Sequence, residues 1–130
     1  MEVIGPVTAD LYVRSSLVYT DFFARLCIVE PSGKSVNLCD GIVRLTPNAY
    51  PAPEADGSLR LQLDLWPTAY HFRKGQRIRV QVSSGAHPRF VRNLGTGEPL
   101  ETTTKLVVAD QTVYHDPEHP SAFVLPVLHG

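Results

Sequence analysis

A chain of 130 residues, 43% hydrophobic and 19% charged, suffices for one domain that buries roughly two-thirds of its unfolded surface, so residues 1–130 are expected to form a single core. The net charge of -1 provides no polyanion-binding field, which sets nucleic acid aside as an expected partner. Met1 to Val7 has neither a basic n-region nor an apolar h-region, and no apolar run approaches the roughly 20 residues that cross a bilayer. The expectation is an unexported, cytoplasmic chain without a membrane partner.

In chain order, Val7, Ala9, Leu11 and Val13 share a face opposite Thr8, Asp10, Tyr12 and Arg14, which predicts a half-buried strand from Val7 to Arg14. A more apolar strand follows over Phe22 to Glu30. The turn chemistry of Glu30-Pro31-Ser32-Gly33-Lys34 sends Ser35 to Cys39 back beside it. Asp40-Gly41 reads as a bend before a short run from Ile42 to Leu45, and Pro47, Pro51, Pro53 and Gly57 make a surface loop.

From Ser58 to Trp66, Leu59, Leu61, Leu63 and Leu65 alternate with Arg60, Gln62, Asp64 and Trp66. A helix scatters such leucines around its axis; only a strand lines them up on one face. Trp66-Pro67 then begins a connection to a turn at Lys74-Gly75, and Ile78, Val80 and Val82 alternate with polar residues as another half-buried strand. The connection from Ser84 to Thr103 is long enough to imply a task. Thr104 to His115 and Ala122 to Val127 close the fold as late strands. Roughly eight strands without a helix predict an all-β protein, a two-sheet sandwich of jelly-roll type.

Candidate sites are sparse. Ser83 and Ser84 are the serines considered as nucleophiles, but no G-x-S-x-G elbow is present. His115, Asp116, Glu118 and His119 crowd one segment with metal-ligand chemistry, yet Pro117 and Pro120 favour a rigid turn; calcium held by loop carbonyls stays open, and no cofactor is expected. Cys27 and Cys39 lie equidistant from Gly33, able to face each other across a hairpin, although reduced, partly buried thiols are the plainer reading. Arg73, Lys74, Arg77, Arg79, Arg89 and Arg92 are half of the twelve basic residues, and no Asp or Glu falls between Asp64 and Glu98. With Trp66, Tyr70, Phe72 and Phe90 nearby, the balance tips toward a docking surface over a solvated strand face.

Gly5-Pro6-Val7-Thr8, Thr20-Asp21-Phe22, Leu38-Cys39-Asp40-Gly41, Asp64-Leu65-Trp66-Pro67-Thr68, Phe72-Arg73-Lys74-Gly75-Gln76-Arg77-Ile78-Arg79, Pro88-Arg89-Phe90 with Arg92-Asn93, and His119-Pro120-Ser121 with Leu125-Pro126 form one pattern running from about Val3 to Val127. This pattern resembles the C-terminal domain of the Xaa-Pro dipeptidyl-peptidase and cocaine esterase family of serine hydrolases. The resemblance implies a jelly-roll, galactose-binding-like sandwich packed on an α/β-hydrolase domain earlier in the polypeptide. That domain holds the family's Ser-Asp-His triad, so no catalytic residue carries over to this chain. The implied docking surface comprises Trp66, Tyr70, Phe72, Arg73, Arg89, Phe90, Arg92 and Asn93.

Two rival readings accompany it. A carbohydrate-binding module would stack sugars on Trp66, Tyr70 and Tyr114, and a self-contained esterase would use Ser83 or Ser84. Unpaired sheet edges and an orphaned docking face also invite homodimers.

Overall fold

The structure, a computed structural model, describes residues 1–16, 19–46, 51–84 and 110–128. Among these residues the chain forms eight strands in two antiparallel sheets. The larger sheet is organised on β1 (Glu2–Ser15). β4 (Leu59–His71) takes one of its edges, and β6 (Gln111–Tyr114), β7 (Ala122–Val124) and β8 (Val127–Leu128) share the other. The smaller sheet runs β3 (Ser35–Leu45), β2 (Thr20–Val29), β5 (Arg77–Ser83). This is the expected all-β sandwich, and no described helix is long and apolar enough to cross a membrane.

Each sheet gives one apolar face to a single core. Val7, Ala9, Leu11 and Val13 of β1 and Leu59, Leu61, Leu63 and Leu65 of β4 meet Phe22, Ala24, Leu26 and Ile28 of β2. Burying one such leucine contributes roughly 1.5–3 kcal/mol, so the alternation on β4 is a strong reason for its register. Being central in its sheet, β2 is buried along almost its whole length, which explains why it reads as a continuous apolar run. The turn closing β2 onto β3 is as expected, with Glu30 N donating to Lys34 O at 2.8 Å and Gly33 N to Glu30 O at 2.8 Å.

Among the described residues the buried carboxylates, Asp21 and Asp40, are each paired with an arginine. Asp21 is buried, and its carboxylate receives Arg44 Nε and Nη2 at 2.9 Å each, two parallel bonds that offset its desolvation. Gln111 of β6 reaches across to the other sheet, donating to Asp21 O at 3.1 Å and to the Thr20 hydroxyl.

Several boundaries depart from the periodicity. β3 does not bend at Asp40-Gly41: the ladder with β2 runs through Arg25↔Asp40 and Ala24↔Gly41, and an irregularity between Leu26 and Cys27 absorbs the extra residue instead. Glycine is needed there for a different reason. A Cβ on Gly41 would sit 2.2 Å from Asp64 O, so β3 crosses β4 with backbone nearly against backbone. β4 continues past Trp66 to His71, because β1 extends back to Glu2 and pairs with it. The last strand splits into β7 and β8 around Leu125 and Pro126. Ile78 and Val80, expected inside, are 46% and 49% exposed: both lie on the core face opposite Ile28 and Leu26, but on β5, which among the described residues is an outer strand of the smaller sheet. The expected strand portion 104–109 lies outside the described residues, as does the connection 85–103.

The thiols do not pair. Cys27 stands opposite Asn37 and Cys39 opposite Leu26, and both are free. Burial, with help from the Asp40 charge and Cys27, pushes the Cys39 thiol up to about 11.

Two outcomes follow. Gly41→Ala forces β3 and β4 apart and is expected to cost about 1–3 kcal/mol, measured as a lower midpoint of chemical unfolding; an unchanged midpoint would refute the close approach. Native Cys39 is expected to react with iodoacetamide at pH 8 about a hundredfold more slowly than in the unfolded chain, read by mass spectrometry.

Candidate functional site

Two places concentrate chemistry. The first is a break in the β1–β4 ladder. Pro6 and Pro67 are register partners, and neither has an N–H to donate, so the ladder is weakest at that pair. The next register pair is Thr8↔Asp64, which leaves Val7 alone opposite Leu65 and Trp66. This β-bulge reverses the parity of β4: odd residues through Leu65 face the core, whereas Thr68, Tyr70 and Phe72 face it afterwards.

At the bulge Trp66 adopts φ 72°, the only positive φ at a non-glycine residue among those described. A bulky side chain in that region costs ~1–3 kcal/mol. Trp66 ends the outward face begun by Arg60, Gln62 and Asp64; it is 68% exposed and stands between two grooves. One, of about 450 Å³, is lined by Pro6, Val7, Asp64 and Pro67 beside Trp66, and the other, of about 200 Å³, by residues 37–40 with Leu65 and Pro67. Residues 5–8, 38–41 and 64–68, far apart in sequence, thus converge here.

The other docking residues divide. Tyr70 is half-buried, packs edge-on to Phe72 at 5.1 Å and accepts a bond from Gln76 Nε2 at 2.9 Å. Phe72 is 8% exposed and belongs to the core, so its side chain is not docking surface: the parity change turns it inward. Arg73 and Lys74 are exposed in the turn before β5, and Arg77 and Arg79 are exposed on it. Arg89, Phe90, Arg92 and Asn93 lie outside the described residues. Nor do the residues chosen for sugar stacking form one platform, since Tyr114 stacks on His119 at 4.4 Å and Tyr70 packs against Phe72.

The second place is His119. Its Nε2 meets Asp56 Oδ2 at 2.6 Å and its Nδ1 meets Asp116 Oδ1 at 2.9 Å, while Tyr114 and Tyr12 enclose the ring. Two carboxylates can be served only if both nitrogens donate, which requires the imidazolium. Ser58, fully buried, donates its hydroxyl to Asp56 at 2.6 Å. Serine, aspartate and histidine therefore meet, but in an order unsuited to nucleophilic catalysis: the serine proton goes to the acid, and the histidine has no lone pair to receive it. The same occupancy answers the metal reading, because a metal ligand needs a neutral ring with a free nitrogen; His115 is exposed and outside the clamp. Among the described residues no group of three His, Cys, Asp or Glu side chains is placed to hold a metal ion.

The clamp fastens three segments: the loop before β4 through Asp56, the turn after β6 through Asp116, and β1 through Tyr12 N, which donates to Ser121 Oγ at 2.9 Å. Arg14 adds bonds to Asp56 O at 2.7 Å and Tyr114 Oη at 3.1 Å. Sequence alone places Asp116 and His119 in one turn but cannot reveal Asp56, 63 residues away. The pairing of His119-Pro120-Ser121 with a proline-rich loop is the faint signal available.

The geometry defines a class first: an all-β sandwich in which Ser58, Asp56 and His119 join loops. The chain belongs to the family described as the X-Pro dipeptidyl-peptidase C-terminal non-catalytic domain, whose model matches residues 1–124. It is 39% identical over 137 residues to the cocaine esterase of Rhodococcus sp. (strain MB1 Bresler), an alignment covering 98% of this chain and 23% of that protein. Its fold matches an α-amino acid ester hydrolase with a TM-score of 0.74 and 24% identity, covering 98% of this chain and 24% of the other. It also matches a CocE/NonD family hydrolase from Staphylococcus aureus with a TM-score of 0.68 and 15% identity, covering 98% and 28%. The chain thus spans less than a quarter of the esterase's length.

Hydrogen bonds that His119 donates to Asp56 and then to Asp116 hold it above its ordinary range. The Ser58 hydroxyl and N–H, then His119, hold Asp56 below the carboxylate range, and His119 does the same for Asp116. A raised histidine stabilises fully below about pH 6.5 and loses that contribution as pH rises through its folded value. Lowered carboxylates stabilise above about pH 4 and lose it on acidification. The clamp is therefore expected to contribute most between about pH 4 and 6.5. The melting temperature of wild type should fall from pH 6 to pH 9 more steeply than that of His119→Ala; parallel slopes would show that the ring is neutral.

Proposed function

We propose that this chain is the C-terminal accessory domain of a serine hydrolase acting on esters or X-Pro peptides. It packs on an α/β-hydrolase catalytic domain of the same polypeptide and helps shape that domain's cleft without donating a reacting group. The observation that carries this reading is coverage: 98% of this chain aligns with only 23% of a cocaine esterase. Support from the coordinates is the exposed indole of Trp66 together with the arginines of the turn at 73–75 and of β5, surface that an interface favours. The same reading includes jelly-roll, galactose-binding-like connectivity and a cytoplasmic location, the latter in keeping with two free thiols.

The test is direct. The hydrolase portion of the same polypeptide, produced separately, should bind this chain in isothermal titration, and Arg89→Ala or Phe90→Ala should weaken the complex several-fold. No binding at high micromolar concentration would overturn the reading, as would ester turnover by the purified chain that is lost in the Ser83→Ala, Ser84→Ala double variant.

A further inference from the structure

We infer that Trp66 is the anchor by which this domain seats on the hydrolase portion of its polypeptide, its indole continuing the outward face of Arg60, Gln62 and Asp64 and its backbone fixed by the β-bulge. The inference rests on the accessory-domain reading above and names the contact that reading leaves open.

Conformation gives the first ground. At φ 72° a glycine or asparagine fits without strain, yet the position holds the bulkiest side chain. The domain's own fold draws little from an indole 68% exposed, whereas the buried leucine beside it completes the core stripe. Strain held in place for an outward-facing aromatic points to a contact outside the domain.

The surroundings give the second. Trp66 is a ridge between two grooves, with Pro6 and Pro67 on its apolar side and the exposed Asp64 beside it. An apolar centre with a charged rim is the anatomy of a protein interface. A knob of this form fits an apolar cleft edged by a cationic or N–H donor facing Asp64. The exposed carboxylate also sets aside a purely lipid-like surface.

Placement selects the occupant. The matched family is a C-terminal domain and this chain covers 23% of the esterase's length, so the larger part of such a polypeptide precedes β1, the strand on which Val7 lies opposite the bulge. The hydrolase portion is therefore tethered within reach of this ridge at high effective concentration, an advantage that no free partner or second copy shares.

The experiment labels the chain's single tryptophan with 5-fluorotryptophan and titrates it with the unlabelled, separately produced hydrolase portion. The fluorine resonance is expected to shift on binding, and Trp66→Gly and Trp66→Ala are expected to lose at least tenfold in affinity, with Trp66→Phe between them and wild type. Glycine matches the backbone, so a folded Trp66→Gly chain separates loss of the indole from loss of the bulge. Wild-type binding with an unmoved resonance, or equal affinity for Trp66→Gly, overturns the anchor and leaves the accessory-domain reading standing. Absence of wild-type binding overturns both. Self-association of the chain in sedimentation that disappears in Trp66→Ala would assign the ridge to a second copy and likewise overturn the proposal.

Discussion

Val3, Val7, Ala9, Leu11 and Val13 line one face of β1, and the strands of the larger sheet take their hydrogen bonds from its two edges. This single strand fixes where β4 ends, which short strands close the sheet, and how deep the shared core lies. A ladder 14 residues long cannot slip by one residue without exchanging its buried face for its solvated one, so the apolar stripe sets the register for everything paired to it. The rest of the architecture adapts to that constraint.

The adaptation is sharpest where two prolines meet across the β1–β4 ladder. Their missing donors weaken pairing locally, and the extra residue on β4 is accommodated there. One irregularity then links three features. It turns Tyr70 and Phe72 into the core, gives Trp66, the last residue of the outward face before it, a positive φ, and lies beside the Asp64 carbonyl that approaches Gly41 of the opposing sheet. Core packing and surface presentation are thus settled by the same few backbone angles. Accessory domains that must offer a fixed ridge gain from building it on a strand, where neighbouring ladders hold the backbone more firmly than a loop would.

At the other ionic centre, the residue types of a hydrolase triad occur with a different purpose. Ser58, Asp56 and His119 are linked by bonds of 2.6 Å, yet the acid lies in the middle and a second carboxylate occupies the remaining imidazole nitrogen. What decides chemistry is the sequence of donors and acceptors, since a general base must offer a lone pair toward the nucleophile. Here the histidine carries charge to join loops. That arrangement is in keeping with the family's description as a non-catalytic domain.

Alternation alone revealed the leucine stripe on β4, the β1 stripe, the apolar β2 and the turn at 30–34, because strand periodicity and turn chemistry are local properties of the chain. Motif resemblance added the family and its accessory role. Local patterns could not show that β3 passes straight through Asp40-Gly41, that Phe72 is core, or that Ile78 and Val80 on β5 are exposed, since each depends on which strand lies alongside. Nor could they bring Asp56 to His119, or residues 5–8, 38–41 and 64–68 to one ridge. The amino-acid order determined which stretches become strands and which face of each is apolar; only the tertiary structure decided what those faces meet, because a contact between distant residues is set by register and sheet packing, and neither is written in any one segment.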